Sequence, residues 1–327
     1  MAKSSTNNAL VFLCAVLLLG GTATGATKKA TPSKRPASRT VKKPTPTPTP
    51  APLAPGELPL AAKSAILLDT KSGDILYEKN PDELEYPASA TKILTALLVI
   101  EQGDLDRRVT IQIEDTKVEP SALEFKPGEE YTRRHLLFAL LLKSANDVAL
   151  ALARDNAGSV SAFCEKMNRR AEALGALGSH FTNPHGLHDP HHFTTARDLG
   201  MIARLAMQQP LFREIVATPE IGMARGGEWV ILKNHNRLLA MLPGCIGVKT
   251  GYTRPAQQVL VSSAIRAGRE AISVVMHSDK PGIWNDSKTL LEHAFEKLGV
   301  PATPPAPVPV TNGTPASAPI IGAAAGK

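Results

Sequence analysis

The chain has 327 residues and a formal net charge of +7, but this charge is unevenly distributed. Residues 1–58 hold eight of the 37 basic residues and one of the 30 acidic residues, and residues 301–327 hold one further Lys. Residues 59–300 therefore carry 28 basic and 29 acidic residues. A central region so close to neutral argues against a nucleic-acid-binding domain, which would need an excess of basic residues.

The first 26 residues have the pattern of a secretory signal peptide. One Lys precedes an apolar run over residues 10–21, and small residues then lead to a predicted cleavage site after Ala26. The run is shorter than the roughly 20 residues that a membrane span needs, and an uncleaved anchor is the alternative. The protein is therefore expected to be secreted across the cytoplasmic membrane to a periplasmic or other extracytoplasmic location.

Two compositionally biased segments flank the region that is expected to fold. Residues 27–58 are rich in Lys, Thr and Pro, which predicts an extended basic linker. This linker either contacts an anionic surface, such as a membrane or a wall polymer, or is solvated without a partner. Residues 301–327 are rich in Pro and Ala and predict a disordered tail without a C-terminal membrane anchor. The folded domain is predicted to be residues 59–300.

Hydrophobic periodicity changes along this domain. A hairpin of two strands around Gly73 comes first, a helical region follows, and strands return before a last helix. The predicted strands are residues 64–70, 74–80, 229–234, 246–251, 258–265 and 271–278, and the predicted helices are residues 89–102, 132–142, 147–158, 159–175, 194–209 and 284–299. This order predicts an α+β fold, in which the hairpin joins the C-terminal strands in one antiparallel sheet flanked by helices, with a helical lobe beside it.

Ser89 and Lys92 stand three residues apart where the most apolar helix begins. Residues at positions i and i+3 share one face of a helix, and a neutral lysine can take the proton from a serine hydroxyl. The helix N-terminus adds free backbone N–H groups that suit an oxyanion. The alternative is a simple N-cap followed by a surface lysine. However, Ile93, Leu94 and the residues after them leave little exposed surface for an idle charge.

The second polar motif is Lys-Ser-Ala-Asn-Asp, residues 143–147, which lies between two apolar helical stretches. Polar side chains at such a junction can cap the helices, which is the simpler interpretation. In the functional interpretation, Ser144 relays protons and Asn146 donates its amide to a substrate carbonyl.

The third motif is Lys249-Thr250-Gly251, inside the predicted strand 246–251. An inward-facing Lys249 near Lys92 would form an anion site and lower the pKa of Lys92 by like-charge repulsion. Gly251 would let a substrate backbone approach the strand closely. The alternative is a strand that ends in a turn.

These three motifs, in this order, resemble the active-site serine penicillin-recognising enzymes. The chain is most similar to the D-alanyl-D-alanine carboxypeptidases, the low-molecular-mass penicillin-binding proteins of serine peptidase family S11, over about residues 60–298. The resemblance also includes AILLDTKSGDILYEKN, the FTNPHGLHDPHHFTTARDL loop and NHNRLL. It implies cleavage of peptidoglycan stem peptides and covalent inhibition by β-lactam antibiotics, with neither a cofactor nor a metal.

The resemblance implies a role for each site residue. Ser89 would be the nucleophile and Lys92 the general base, while Ser144 and Lys249 would return the proton to the leaving amine. Asn146 would hold the substrate amide. Backbone N–H groups of Ser89 and Tyr252 would form the oxyanion hole. The substrate-binding residues would be Asn146, Thr250, Gly251, Tyr252 and Thr253.

Other features of the sequence bear on cofactors and on turnover. Cys164 and Cys245 are predicted to fill buried apolar positions, with pairing as the alternative. The histidines of residues 185–192 have spacings that can bind zinc, but the resemblance favours a packing role for this loop. Gln257 stands where the family usually has Gly, so a side chain replaces a hydrogen beside the third motif.

Three alternatives to a carboxypeptidase remain open at this point. A DD-endopeptidase would cut peptidoglycan cross-links with the same residues. A β-lactamase needs rapid deacylation, and the Glu-x-x-Leu-Asn pattern of class A enzymes is absent from the sequence. A non-catalytic wall-binding or β-lactam-sensing protein would use the same fold without turnover.

Overall fold

The computed structural model describes residues 56–301. The predicted signal peptide, almost all of the basic linker and nearly the whole of the Pro/Ala-rich tail lie outside these residues. Within them, every helix is too short or too polar to cross a membrane.

A five-stranded antiparallel sheet is the centre of the described region. Its strands lie in the order β2-β1-β9-β8-β7, so the N-terminal hairpin pairs with the C-terminal strands as predicted. The five strands are β1 (Ser64–Asp69), β2 (Ile75–Lys79), β7 (Cys245–Thr253), β8 (Gln257–Arg266) and β9 (Arg269–Ser278). Because β1 pairs with β9 in unbroken register, the two ends of the domain are joined in one sheet.

Alternating side chains give the sheet two buried faces. Leu67, Leu260 and Val275 face α8 (Gly282–Lys297), whereas their neighbours Ile66, Val261 and Val274 face the main helical core. This period of two is what a strand covered on both sides requires. The sheet therefore separates α8 from the remaining helices.

The helical lobe surrounds α1 (Lys92–Gln102), whose first eight residues are all buried. The helices of the lobe are α2 (Arg133–Leu142), α3 (Asn146–Ala157), α4 (Val160–Ala173), α5 (Ala196–Ala206) and α6 (Pro210–Ala217). This central position suits the helix that is the most apolar in the sequence, because a helix that is apolar around its whole circumference must be buried on all sides. Ser159 caps α4, with its hydroxyl accepting a hydrogen bond from the backbone N–H of Ala162 at 3.1 Å.

The structure departs from the predicted elements in three places. Residues 229–234 do not join the main sheet, because β6 (Glu228–Lys233) pairs with a strand the sequence did not indicate, β5 (Glu220–Arg225). The helix predicted over residues 194–209 ends at Ala206, and Pro210 begins α6, since Pro is favoured in a first helical turn. Two short strands, β3 (Arg108–Thr110) and β4 (Glu130–Thr132), and the four-residue α7 (Leu238–Met241) were also missed.

The helix predicted over residues 89–102 has two parts. A 3₁₀ turn, Ala88–Thr91, carries Ser89, and α1 follows it. No side chain caps either helix, so Ser89 is not the simple N-cap of the alternative interpretation.

Candidate active site

Lys92 lies at the centre of the candidate site and is completely buried. Its Nζ atom is 3.1 Å from Ser89 Oγ, 2.6 Å from Asn146 Oδ1 and 2.7 Å from the carbonyl oxygen of His185. The predicted nucleophile and base are therefore in direct contact, and two further segments of the chain hold the base in place.

Burial lowers the pKa of Lys92 well below its ordinary value, and the neighbouring Lys249 lowers it further, while Asp147 opposes both effects. Desolvation disfavours an ammonium, and a second ammonium repels it. Repulsion by Lys249 is the cause that the sequence indicated, and both causes favour the neutral amine that a general base must be.

The contacts of Lys92 match the hydrogen-bonding capacity of a neutral amine. Such a group has two N–H donors and one lone pair. The Asn146 amide oxygen and the His185 carbonyl can only accept, so they take the two N–H groups. In that form the lone pair is left for the hydroxyl of Ser89, which then donates, whereas in the ammonium form Nζ donates to Ser89 Oγ. The contact between Nζ and Oγ is therefore in place for a proton to pass from the hydroxyl to a neutral amine.

The junction between α2 and α3 brings Ser144 and Asn146 to the site, as predicted. Ser144 has a positive φ of 59°, and its buried Oγ makes no hydrogen bond with another described residue. A non-glycine residue in this conformation is unfavourable by about 1–3 kcal/mol and is typical of functional positions. The Asn146 Nδ2 donates to the Pro120 carbonyl at 2.5 Å, which leaves its second N–H for another acceptor.

Asp147, the last residue of the second motif, holds one wall of the site. Its carboxylate accepts the backbone N–H of Leu123 at 2.9 Å and also bonds the N–H groups of Glu124 and Phe125. The Asn146 N–H donates to the Ser121 carbonyl at 2.8 Å. Two successive residues of α3 therefore fix the segment 120–125.

Strand β7 forms the opposite wall and carries the third motif. Lys249 is 1% exposed, and burial lowers its pKa to about 7. Its Nζ donates to the Thr250 carbonyl at 2.8 Å. A Cβ atom at Gly251 would lie 2.9 Å from the backbone nitrogen of Ser89, so only glycine lets the strand approach the serine this closely. Thr253 ends the strand, and its hydroxyl accepts a hydrogen bond from the Ala256 N–H.

The histidine loop packs against the catalytic turn. His192 Nδ1 accepts the backbone N–H of Thr182 at 3.1 Å, so its protonated Nε2 donates to Thr91 Oγ1 at 2.8 Å. Burial lowers the pKa of His192 to about 4, which keeps the ring neutral. Across residues 56–301, no three His, Cys, Asp or Glu side chains are grouped as a metal site requires. Cys164 and Cys245 are unpaired.

These segments enclose a cavity of about 310 Å³ with Ser89 in its wall. The residues lining it are Ser89, Pro120, Ser121, Ser144, His235, Thr250, Gly251, Tyr252, Gln258, Ile283 and Trp284. A second cavity of about 400 Å³ lies between the β1–β2 hairpin and α5 and contains none of the motif residues. Of these two cavities, the first is the one that places the Ser89 hydroxyl beside a binding space.

Sequence reasoning missed several contributors to this site. The carbonyl of His185 acts through the backbone, so its side chain gave no signal. Pro120 and Ser121 belong to a segment without a recognisable pattern. His235 lies within NHNRLL, which was noted only as part of the resemblance, and Asp147 was noted only as part of the second motif.

Comparison with known proteins agrees with this geometry. The family profile described as "D-alanyl-D-alanine carboxypeptidase", Peptidase_S11, matches residues 51–280. The D-alanyl-D-alanine carboxypeptidase DacB2 of Mycobacterium tuberculosis is 36% identical over 249 residues, covering 73% of this chain and 85% of the relative. A D-alanyl-D-alanine endopeptidase of Pseudomonas aeruginosa is 34% identical over 212 residues, covering 63% of this chain and 68% of the relative.

The solved structures give the same result for the fold. The structure of a variant of a Streptomyces DD-transpeptidase superposes with a TM-score of 0.70 at 32% identity, covering 73% of this chain and all of that one. The chain therefore belongs to the D-alanyl-D-alanine carboxypeptidase family of serine peptidases.

Proposed function

We propose that this protein is a serine-type D-Ala-D-Ala carboxypeptidase that trims peptidoglycan stem peptides through an acyl-enzyme on Ser89. The observation that supports this most directly is the contact between the Ser89 hydroxyl and the buried amine of Lys92, whose pKa is lowered by burial and by Lys249. A serine is a weak nucleophile until an adjacent base takes its proton, and this contact supplies that base.

In the acylation step, Ser89 Oγ attacks the carbonyl carbon between the two terminal D-alanines while Lys92 Nζ takes the hydroxyl proton. The oxyanion that forms accepts hydrogen bonds from the backbone N–H groups of Ser89 and Tyr252. The amide C–N bond then breaks, and the departing amine of D-Ala gains a proton. Ser144 and Lys249 relay this proton from the protonated Lys92 Nζ, so Lys92 becomes neutral again before deacylation. The free hydroxyl of Ser144 and the lowered pKa of Lys249 suit this relay.

Deacylation uses the same groups with water as the nucleophile. Water attacks the ester carbonyl, Lys92 takes its proton, and the Ser89 oxygen leaves as the hydroxyl. The second N–H of the Asn146 amide holds the substrate carbonyl, since the first is engaged by Pro120. The Thr250 hydroxyl and Lys249 face the terminal carboxylate, and Gly251 lets the substrate backbone lie against β7. Tyr252 and Thr253, which end β7, complete the proposed substrate-binding residues.

A release assay combined with mass spectrometry tests this proposal. The wild-type protein is incubated with a soluble monomeric pentapeptide and, separately, with penicillin. We expect release of one D-Ala per peptide and a covalent β-lactam adduct on Ser89. The Ser89→Ala variant should lose both while keeping the wild-type unfolding temperature. An adduct on another residue, or activity that survives in this variant, would show that the mechanism is wrong.

A DD-endopeptidase is the second candidate, favoured by the similarity to the Pseudomonas aeruginosa endopeptidase. Purified cross-linked muropeptide dimers separate the two activities. A carboxypeptidase shortens free pentapeptide ends, whereas an endopeptidase converts dimers into monomers. Exclusive conversion of dimers would replace the first proposal with the second.

Peptidoglycan as the substrate implies an extracytoplasmic site of action. The sequence of residues 1–26 supports export, and N-terminal sequencing of the mature protein tests cleavage after Ala26. A mature protein that retains its first residues would favour the uncleaved anchor.

A further inference from the structure

Strand β6 and the two residues after it carry a row of exposed side chains on one face. Trp229 and Ile231 are 51% and 42% exposed, and Lys233 and His235 continue the same alternation. The residues between them face the other way, and Leu232 is buried in the main core. Because side chains alternate along an extended strand, Trp229, Ile231 and Lys233 share one surface of β6, and the exposed His235 follows in the bend after the strand.

The indole of Trp229 packs against the backbone of Gly222, which has no side chain. Gly222 of β5 is one strand away, and a Cβ atom there would lie 2.3 Å from Cζ2 and 2.7 Å from both Cε2 and Nε1 of the ring. The absence of a side chain at Gly222 lets the ring rest against the hairpin. One face of the indole is therefore supported, and about half of the side chain remains open to solvent.

This row leads into the candidate active site. His235, at its end, lines the cavity that contains Ser89, and its backbone N–H donates to the Leu142 carbonyl next to the second motif. At the other end of the hairpin, Arg225 donates to the Leu123 carbonyl, in the segment that begins with Pro120 and Ser121. Both ends of the hairpin are thus attached to walls of the cavity.

The length of the row matches the substrate. An extended strand rises about 3.3 Å per residue, so Trp229 lies about 20 Å from His235 along the chain. On the acyl side of the scissile bond, a stem peptide has four residues, which span about 14 Å when extended, before its lactyl link to an amino sugar. A stem peptide that left the cavity past His235 would therefore run along this row, and its glycan strand would lie against the hairpin.

We propose that Trp229, with Ile231 beside it, is a stacking surface for a pyranose ring of the glycan strand that carries the stem peptide. This inference rests on the proposed function and extends it to the polymeric part of the substrate. The C–H face of a pyranose is apolar with slightly positive hydrogens, which suits the negative face of an indole. Lys233 beside it suits the carboxylates of the stem peptide.

The first test compares polymer-attached with free pentapeptide. We expect Trp229→Ala to lower the ratio of kcat/KM on intact peptidoglycan to kcat/KM on soluble pentapeptide about fivefold, the size of one lost aromatic contact. Gly222→Ala should lower the same ratio, because the new Cβ displaces the indole. Trp229→Tyr should retain most of it. Leu177→Ala, which removes a 78% exposed apolar side chain elsewhere, should leave it unchanged.

The second test uses glycan chains freed of peptide. Calorimetric titration of the Ser89→Ala protein with such chains should give binding that is lost in the Ser89→Ala/Trp229→Ala double variant, while both proteins unfold at similar temperatures. No binding, or a ratio that Trp229→Ala and Gly222→Ala leave unchanged, would overturn the inference. Failure of the wild-type protein to release D-Ala from free pentapeptide would instead refute the proposed function.

Discussion

The floor and the rim of the cavity are built in opposite ways. The floor, consisting of Lys92, Asn146 and Lys249, is at most 2% exposed, and each side chain has a hydrogen-bond partner. The rim includes Tyr252, which is 58% exposed, and His235, which is also exposed. The groups proposed to act on the proton or to hold the substrate amide are thus immobilised in a dry environment, whereas the side chains at the rim are left accessible.

This difference has an energetic consequence. A buried ammonium costs several kcal/mol, so two lysines in one closed site reduce the stability of the fold. The rim carries no such cost. Changes at the floor should therefore alter activity and stability together, often in opposite directions, while changes at the rim should alter stability or substrate choice alone.

The largest effect should come from Gly186→Ala, which displaces the loop that holds Lys92 in the floor of the cavity. Gly186 has a φ of +87°, and a Cβ atom there would lie only 1.8 Å from the Ala88 carbonyl oxygen. The loop must move away, taking the His185 carbonyl from Lys92. We expect kcat/KM to fall at least about 100-fold, since displacements near 1 Å have such effects.

Gly175→Ala is the matched control for this change. Gly175 has a similar φ of +78° with no atom within 4 Å of the added Cβ. Both variants should lose the stability that a positive φ costs a side chain, but Gly186→Ala should lose about 2 kcal/mol more of the free energy of unfolding in urea. Equal losses, with activity retained in both, would show that the loop does not position the base.

Lys249→Met tests the opposition between activity and stability at the floor. We expect kcat/KM on pentapeptide to fall about 100-fold or more, because the variant lacks both a proton donor and a carboxylate partner. The free energy of unfolding at pH 7 should rise by about 1 kcal/mol or more, since a buried charge is replaced by an apolar side chain of similar length.

The pH dependence of this gain has a definite sign. The pKa of Lys249 is about 7 in the fold against an ordinary value of 10.5, so folding releases a proton between these values. The unfolded chain binds more protons there, and wild-type stability rises with pH. The gain in Lys249→Met should therefore be largest below pH 7 and should shrink toward pH 10. A variant less stable than wild type at pH 7 would contradict this account.

Whether the sequence could predict a contact of this site depends on how far apart the two contacting residues lie along the chain. Ser89 and Lys92 are separated by one helical turn, so local geometry alone brings them together. The second and third motifs required the resemblance, because residues 144–147 and 249–251 meet Ser89 only through the tertiary fold. The positions of β5 and the 120–125 segment were not predictable, since their partners are set by packing rather than by periodicity.

Asp147→Asn should have a smaller effect, because it loosens one wall of the site without touching the nucleophile. An amide in place of the carboxylate turns one acceptor into a donor that faces the backbone N–H groups of residues 123–125. We expect KM for the pentapeptide to rise about tenfold with a smaller change in kcat. Since Asp147 raises the pKa of Lys92 against the effects of burial and Lys249, the acid limb of kcat/KM should move to lower pH.

Asp155→Asn is the control on the same helix. Asp155 is 7% exposed and pairs with Arg133 at 2.7 Å, away from the cavity. This variant should lose stability without moving the acid limb. If both variants leave the limb unchanged, Asp147 acts only through packing.

The smallest effect is expected next to the rim, for Gln257→Gly. Gln257 has a φ of +53°, and its side chain donates to the Arg254 carbonyl at an exposed position. The structure thus explains why the family favours glycine here, since glycine adopts a positive φ without steric cost. We expect the free energy of unfolding to rise by about 0.5–1 kcal/mol and the melting temperature by about 1–4 °C.

Ala267→Gly, with a φ of +49° in the β8–β9 turn, is the matched control and should give a similar gain in stability. If only Gln257→Gly changes kcat, by more than about threefold, the Gln257 side chain limits turnover. If neither variant gains stability, the backbone at these two turns is not strained.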